Sequence, residues 1–105
     1  METKNITEIT YSDGSSTKYG WYDNGQKKYK RNFNAEGELE GKQYRWHDNG
    51  QKWYEENYNA KGKMEGKQYC WYENGQKAYE VNYNAEGVWE GKQYRWHYDG
   101  TPMED

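Results

Sequence analysis

The chain repeats itself every 25 residues, and this period constrains its fold more than any other feature. A tryptophan marks each period, and an Asn-Gly-Gln-Lys turn signal follows the first three of them. A second turn signal, Asn-Ala-x-Gly, lies between successive tryptophans. The periodic tryptophans are Trp21, Trp46, Trp71 and Trp96. Self-similarity at a fixed spacing is typical of repeat proteins, in which each unit packs on its neighbours.

The apolar residues are mostly aromatic. Leu, Ile and Val are few, whereas the 105 residues include 13 Tyr, 6 Trp and 1 Phe. Each buried aromatic ring removes about 150–250 Å² from water, so a core of Tyr and Trp is feasible. Because these rings carry polar tips, we expect a thin aromatic layer whose edges are exposed to solvent, rather than a deep core.

Charge and composition argue against several classes of partner. With 15 basic and 18 acidic residues the net charge is −3, which provides no general basic field and predicts no nucleic-acid binding. The sequence has no apolar run or leader, which predicts no membrane association. The single cysteine, Cys70, excludes an internal disulfide framework. Together these features predict a cytoplasmic protein.

Each unit predicts two strands joined by short turns. In the second unit these are about residues 40–47 and 51–59, both rich in Tyr and Trp and bounded by Asn, Asp and Gly. Frequent glycines and the lack of a 3.6-residue apolar period disfavour helix. The sequence therefore predicts an all-β fold, an open antiparallel meander of about eight strands. We expect this sheet of 25-residue β-hairpin repeats to be elongated and twisted.

The units divide the chain into a single repeat domain, residues 1–105. A partial repeat forms an N-terminal cap, three full repeats follow, and a cap with a polar tail ends the chain. Tyr11 is placed at the position that Phe33 and Tyr58 occupy in later units. The boundaries are 6–19 for the first cap, 20–44, 45–69 and 70–94 for the full repeats, and 95–105 for the last cap and tail.

The turn after each tryptophan predicts the strand register. A three-residue loop at 48–50 pairs Trp46 with Lys52 and Tyr44 with Tyr54, and it places these rings and Tyr58 on one face. The position after Gln-Lys varies and is therefore predicted to face solvent. The tyrosine that follows it is constant and is predicted to be buried. The varying position holds Lys28, Trp53 and Ala78; the constant one holds Tyr29, Tyr54 and Tyr79.

The second turn leaves two alternatives open. A three-residue loop at 60–62 needs a bulge at Gly66 to bring Tyr69 and Trp71 to the face of Tyr58. A four-residue loop at 59–62 would do so without a bulge.

The segments WYDNGQK, WHDNGQK and WYENGQK, each followed by the constant tyrosine, resemble the variant MORN repeats, and more closely those of the bacterial YwqK-family antitoxins. The resemblance covers about residues 18–100. It implies stacked β-hairpins in a single sheet, no catalytic centre and a binding role. The repeat is longer than the usual MORN unit, and the glycines of the membrane-associated form are mostly replaced, which argues against lipid binding.

Catalytic and metal-binding patterns are missing from the sequence. It has no glycine-rich phosphate loop, no cluster with metal-ligand spacing and no serine in a nucleophile elbow. His47 and His97 lie two units apart, about 19 Å at the spacing of β-strands, which is too far to share a metal. Cys70 has no base near it in sequence. The recurring glutamates, such as Glu40, are expected to pair across strands with lysines, such as Lys42. We therefore predict no enzyme activity, no cofactor and no metal.

Two tryptophans outside the 25-residue period are the predicted partner contacts. Other units fill their positions with Lys, Ala, Leu or Met. Arg and His residues at neighbouring positions would complete such a contact. The predicted partner-binding residues are Trp53, Trp89, Arg45, His47, Arg95 and His97.

The predicted function is non-catalytic binding of another protein, in the manner of an antitoxin, an immunity protein or a phage-encoded inhibitor. A carbohydrate or cell-wall binding module that uses exposed aromatic rings is one alternative. A self-assembling structural repeat is another, since a homodimer could form through an open sheet edge or an aromatic face.

Overall fold

Eight β-strands form one antiparallel sheet in the computed structural model, which describes residues 5–103. Each strand pairs with the strands before and after it in the chain, and no helix occurs in the described range. The sheet measures 46 × 36 × 18 Å. The predicted all-β open meander is therefore confirmed. The strands are β1 (Ile6–Thr10), β2 (Ser16–Trp21), β3 (Lys27–Phe33), β4 (Gly41–Trp46), β5 (Lys52–Tyr58), β6 (Gly66–Trp71), β7 (Lys77–Tyr83) and β8 (Tyr94–Arg95).

Two segments of the predicted domain lie outside the described residues: 1–4, which precede the first cap, and 104–105, which belong to the C-terminal tail. Within the first cap, the main-chain N–H of Tyr11 donates to the oxygen of Ser15, as that of Asn59 donates to Lys63. Tyr11 therefore takes the position of Asn59. The prediction that it takes the position of Tyr58 is wrong, because the three-residue loop begins directly after Tyr11.

The tryptophan turns have the predicted three-residue loop. The main-chain N–H of His47 donates to the oxygen of Gln51 at 2.8 Å, and the N–H of Gly50 donates to the oxygen of His47 at 3.0 Å. Gly50 has a φ of +91°, a conformation that glycine adopts without steric cost. Trp46 pairs with Lys52, as predicted.

The turn asparagine explains the Asn-Gly-Gln motif. Its side-chain oxygen caps its own turn: in the second unit, Asn49 Oδ1 accepts a hydrogen bond of 2.9 Å from the N–H of Gln51. Its side-chain amide donates to the turn of the next unit, where Asn49 Nδ2 lies 2.7 Å from the oxygen of Glu73. A carboxylate could not serve both roles, because it has no N–H to donate. Equivalent donors link Asn24 to Asp48 and Asn74 to Tyr98.

A bulge beyond this turn changes the predicted pairing. Trp53 is an additional residue in β5, so that Tyr44 pairs with Glu55, and Arg45 pairs with Tyr54. The predicted pairing of Tyr44 with Tyr54 is therefore wrong. One extra residue inverts the faces of all residues that follow it. The same shift occurs at Lys28 and Ala78 in the β2–β3 and β6–β7 hairpins.

As a result, the aromatic rings occupy both faces of the sheet rather than one. Directly paired residues share a face, so Tyr44 and Trp46 lie opposite to Tyr54 and Tyr58. The Trp face, as we call it, carries Tyr19, Trp21, Tyr44, Trp46, Tyr69, Trp71, Tyr94 and Trp96. The Tyr face carries Tyr29, Tyr54, Tyr79, Phe33, Tyr58 and Tyr83.

The layer is thin, as the composition predicted. Val81, on the Tyr face, is 6% exposed and is the one buried hydrophobic residue of the described range. Tyr29 and Tyr54 are half-buried, but Tyr79 is 37% exposed, as much as Trp53. The prediction that Tyr79 is buried is therefore wrong, since residues 5–103 form a single layer.

Of the two alternatives for the second turn, the structure has the three-residue loop at 60–62. The N–H of Asn59 donates to the oxygen of Lys63 at 2.8 Å, and Gly66 has a φ of +84°. The irregularity at Gly66 does not bring Tyr69 to the face of Tyr58, because Tyr69 pairs with Glu55 and Tyr58 bridges to Met64.

A buried glutamine continues the hydrogen-bond ladder where β5 and β6 separate. The N–H of Asn57 donates to Gln68 Oε1 at 2.8 Å, and Gln68 Nε2 donates to the oxygen of Gly66 at 3.1 Å. Gln68 is only 2% exposed. Gln43 bonds to Asn32 in the same way between β3 and β4. Each side-chain amide thus replaces a missing main-chain partner.

Candidate partner-binding surface

The bulge at Trp53 brings three of the predicted site residues together. The indole of Trp53 is 37% exposed and stacks on the imidazole of His47, with 4.8 Å between ring centroids and 15° between planes. The guanidinium carbon of Arg45 lies 5.1 Å from the centre of the indole. We call these three residues the Trp53 cluster.

Neighbouring elements hold the Trp53 cluster in place. His47 Nε2 lies 3.0 Å from the main-chain oxygen of Trp71 in the next unit, within hydrogen-bond distance. The ring of Tyr54 meets that of Trp53 edge-on, at 6.4 Å. Because contacts on two sides restrict the indole, binding a partner would cost little side-chain entropy.

The structure separates the other predicted site residues from this cluster. Trp89 is 51% exposed and lies near Tyr83, at the ends of the strands opposite to the tryptophan turns. Arg95 lies on β8, four strands away from β4. His97 begins the last tryptophan turn, two units beyond His47.

On the Trp face, stacked aromatic pairs alternate with lysines. Within each pair the Tyr and Trp centroids lie 5.6–6.1 Å apart. Lys52 Nζ lies 5.2 Å from the ring of Tyr44 and 5.5 Å from that of Trp71. Lys77 lies between Tyr69 and Trp96 in the same manner. These cation–π contacts connect adjacent units.

A carboxylate completes this arrangement in the second and third units. Glu55 accepts hydrogen bonds from Lys42 and Lys52, both at 3.1 Å. Partial burial opposes ionisation of Glu55, but the two lysines outweigh it, so the pKa lies below its ordinary value. Glu80 is held in the same way by Lys67 and Lys77.

This pairing corrects one expectation about the recurring glutamates. Glu40 does not pair with Lys42, whose partner is Glu55. The carboxylate of Glu40 instead accepts a hydrogen bond of 3.3 Å from the side-chain amide of Asn34. The expected pairing fails because the turn asparagine is nearer to Glu40 than the lysine is.

The first unit departs from this pattern in its charges. Lys30 pairs with Tyr44 in β4, as Glu55 pairs with Tyr69 in β6, so Lys30 takes the position of that glutamate. Strands β2 to β4 contain no Asp or Glu. They contain seven cationic residues, Lys18, Lys27, Lys28, Lys30, Arg31, Lys42 and Arg45.

Sequence reasoning missed this basic region because the net charge of −3 concealed it. The signal was present in the run Lys-Lys-Tyr-Lys-Arg at 27–31. The corresponding strands β5 and β7 carry glutamates. A charge count for each strand would have found the region.

The Tyr face carries two partly buried groups that resist ionisation. Desolvation raises the pKa of the Glu56 carboxyl and that of the Cys70 thiol. A thiol with a raised pKa is a poor nucleophile at neutral pH. Between residues 5 and 103, no group of three or more His, Cys, Asp or Glu is arranged to hold a metal ion. The same range contains no helix able to cross a membrane.

Part of the chain is similar to a known repeat family. The MORN repeat variant matches residues 39–60 and 64–85, which hold the β4–β5 and β6–β7 hairpins. No curated protein matches the chain.

Among solved structures, the chain is similar to one from the crystal structure of accessory secretory protein 1, 2 and 3 in Streptococcus pneumoniae. The two share 23% sequence identity at a TM-score of 0.46, over 90% of this chain and 18% of that one. A likeness at this level carries no information about function. Each of the two segments that match the MORN repeat variant, 39–60 and 64–85, coincides with one β-hairpin of the sheet.

Proposed function

We propose that the chain is a non-catalytic module that binds another protein, as an antitoxin, an immunity protein or an inhibitor does. The observation that carries this proposal is the Trp53 cluster, an exposed indole held between His47 and Arg45. Tryptophan and arginine are enriched among the residues that dominate binding energy at protein interfaces. The equivalent positions hold Lys28 and Ala78, so the repeat itself does not require a tryptophan there.

Other features support the proposal. The resemblance to YwqK-family antitoxins favours the antitoxin type of partner. Burial raises the pKa of the Cys70 thiol, which favours a non-catalytic role. A cytoplasmic location fits a single half-buried free cysteine.

The test compares the wild-type chain with Trp53→Ala and Trp53→Lys as baits for affinity capture. Both substitutions copy residues that other units carry at this position, so we expect both variants to fold. A candidate partner is a protein that the wild type retains and both variants lose. Calorimetry with that purified partner should show binding weakened at least about tenfold, or about 1.4 kcal/mol. Equal retention by all three baits would contradict the role of Trp53.

Two further measurements separate the alternative functions. Retention of the wild-type chain on a glycan array would favour a carbohydrate-binding module, in which aromatic rings stack on sugars. Sedimentation that shows a concentration-dependent oligomer with no other bound protein would favour a self-assembling repeat. Either result, without a protein partner, would overturn the proposal.

A further inference from the structure

We infer, on the basis of the proposed protein-binding function, that the Trp face of the first unit binds carboxylate side chains supplied by an acidic segment of the partner. The site consists of Lys27 and Lys30 with the surrounding rings. We call it the Lys27–Lys30 site. Its rings are Tyr19, Trp21, Tyr44 and Trp46.

In the other units, the place equivalent to the Lys27–Lys30 site holds a carboxylate. In the β4–β5 hairpin the carboxylate of Glu55 lies between the ammonium groups of Lys42 and Lys52. Tyr44 lies beside the same group, since its ring is 5.2 Å from Lys52 Nζ. The third unit repeats this arrangement around Glu80. The scaffold therefore holds a carboxylate between ammonium groups and aromatic rings wherever the sequence supplies one.

The first unit keeps one lysine and the aromatic rings of this arrangement, but it has a second lysine in place of the glutamate. Lys27 is equivalent to Lys52, and Lys30 replaces Glu55. Lys27 Nζ lies 4.9 Å from the ring of Trp46, and Lys30 Nζ lies 5.9 Å from that of Tyr44. Within the described range neither lysine forms an ion pair with a carboxylate.

The bulge at Lys28 makes this pair of lysines possible. In a regular strand, two residues that are three positions apart point to opposite faces of the sheet. The additional residue at Lys28 restores Lys27 and Lys30 to one face, as the bulge at Trp53 does for Lys52 and Glu55, which approach to 3.1 Å. Two ammonium groups on one face repel each other, and a shared carboxylate would remove that repulsion.

Charge favours a short acidic peptide over a nucleic acid. The net charge of −3 disfavours a long polyanion, whose binding requires many phosphate contacts. The cations lie within strands β2 to β4. Exposed acidic residues, such as Asp23, Glu36 and Asp48, lie in the turns at the two ends of the strands. An extended segment no longer than β3 would lie over strands that carry no Asp or Glu.

The test is a calorimetric titration of the full chain with hexaglutamate at low ionic strength. The Lys30→Glu variant should keep the fold, because it rebuilds in the first unit the Lys52–Glu55 arrangement. We expect it to bind hexaglutamate about tenfold more weakly than the wild type does. Lys63→Glu makes the same charge change in an exposed turn away from the site and should change affinity less than about twofold. Equal losses in both variants would show a general charge effect and overturn the inference.

A gain of function provides a second readout. Glu80→Lys combined with Lys67→Thr copies the first unit into the third, because Thr17 stands where Lys67 stands. This double variant should bind two equivalents of hexaglutamate instead of one. A stoichiometry that remains at one would contradict the inference.

Two controls distinguish the ligand and the two proposals. Oligothymidylate that binds as tightly as hexaglutamate and is lost in Lys30→Glu would assign the site to polyanions in general and overturn the carboxylate proposal. Trp53→Ala should leave hexaglutamate binding unchanged, since Trp53 does not belong to the site. If a protein partner depends on Trp53 but hexaglutamate does not bind, the carboxylate site fails while the proposed function stands.

Discussion

The side-chain amide of Asn49 donates a hydrogen bond of 2.7 Å to the main-chain oxygen of Glu73, and so joins the turns of two successive units. The same asparagine caps its own turn through the N–H of Gln51. One side chain therefore stabilises both a hairpin and the stacking of that hairpin on the next.

Replacing Asn49 by Asp separates these two roles. Aspartate keeps the oxygen that caps Gln51 but loses the N–H that reaches Glu73. We expect the free energy of unfolding to fall by about 1 kcal/mol, the usual net value of such a hydrogen bond. Urea denaturation measures this change. Asp99→Asn is the control, because Asp99 caps Thr101 through its oxygen alone, and it should change stability by less than about 0.5 kcal/mol. Wild-type stability in Asn49→Asp would show that the contact between turns contributes nothing.

Gln68→Leu tests the amide that continues the ladder between β5 and β6. The substitution leaves the part-buried N–H of Asn57 without its acceptor, which costs about 1–3 kcal/mol. Gln93 holds the equivalent position in the last unit and is exposed. Gln93→Leu should therefore cost less than about 0.5 kcal/mol. Thermal unfolding of both variants gives the comparison, and equal losses would refute the backbone-replacing role of Gln68.

The ion pairs of Glu55 and Glu80 predict a dependence of stability on acid pH. Both carboxyl groups have pKa values below the ordinary value of 4.5 in the folded chain, because lysine hydrogen bonds outweigh the opposing desolvation. Their contribution is therefore complete above about pH 4.5 and is lost as the pH falls through the folded pKa values. The double variant Glu55→Gln/Glu80→Gln should show a flatter loss of stability on acidification, measured by urea denaturation from pH 7 to pH 2.5.

The control for this prediction is Glu36→Gln/Glu86→Gln, which removes two charges from exposed turns. It should keep the pH dependence of the wild type below pH 4.5. An acid profile of Glu55→Gln/Glu80→Gln that matches the wild type would show that the two ion pairs do not contribute.

The thiol of Cys70 should react slowly in the folded chain. Burial raises its pKa, and nearby Glu56 adds to this effect. Iodoacetamide alkylates the thiolate, so at pH 8 we expect alkylation at least several-fold slower than in the urea-unfolded chain. Mass spectrometry over time measures both rates. Identical rates would mean that the folded environment does not protect the thiol.

The local signals in the sequence predicted the repeat, the strands and the loop of the tryptophan turn, and left two alternatives for the loop of the second turn. Asn49 and Gly50 specify a three-residue turn by their own chemistry, and the periodic tryptophans mark where each hairpin begins. The face assignment failed because a bulge at Trp53 leaves no trace in a pattern of alternating residues. A tyrosine follows at Tyr54 in either case, and only the pairing of strands shows which face it occupies.

The candidate site was predicted only in part, for a related reason. Trp53 was identifiable because neighbouring units do not carry an aromatic ring there, and His47 and Arg45 follow from proximity to the turn. Lys30 was not identified because its meaning depends on Glu55, which takes the equivalent position in the next unit. Averages over the whole chain conceal such a reversal of charge between units.

Val81 is 6% exposed and is the one buried hydrophobic residue in the single layer formed by residues 5–103. So small a core affects how the stability of the fold depends on temperature. Exposure of apolar surface is the main source of the heat-capacity increase on unfolding, and polar exposure reduces it. Because this chain hides little aliphatic surface, its heat-capacity change should lie below the usual value of about 12–15 cal/mol/K per residue. A small value flattens the curve of stability against temperature. A modest maximum stability would then extend over a wide thermal range, with weak cold destabilisation and a melting point that is high for so shallow a core.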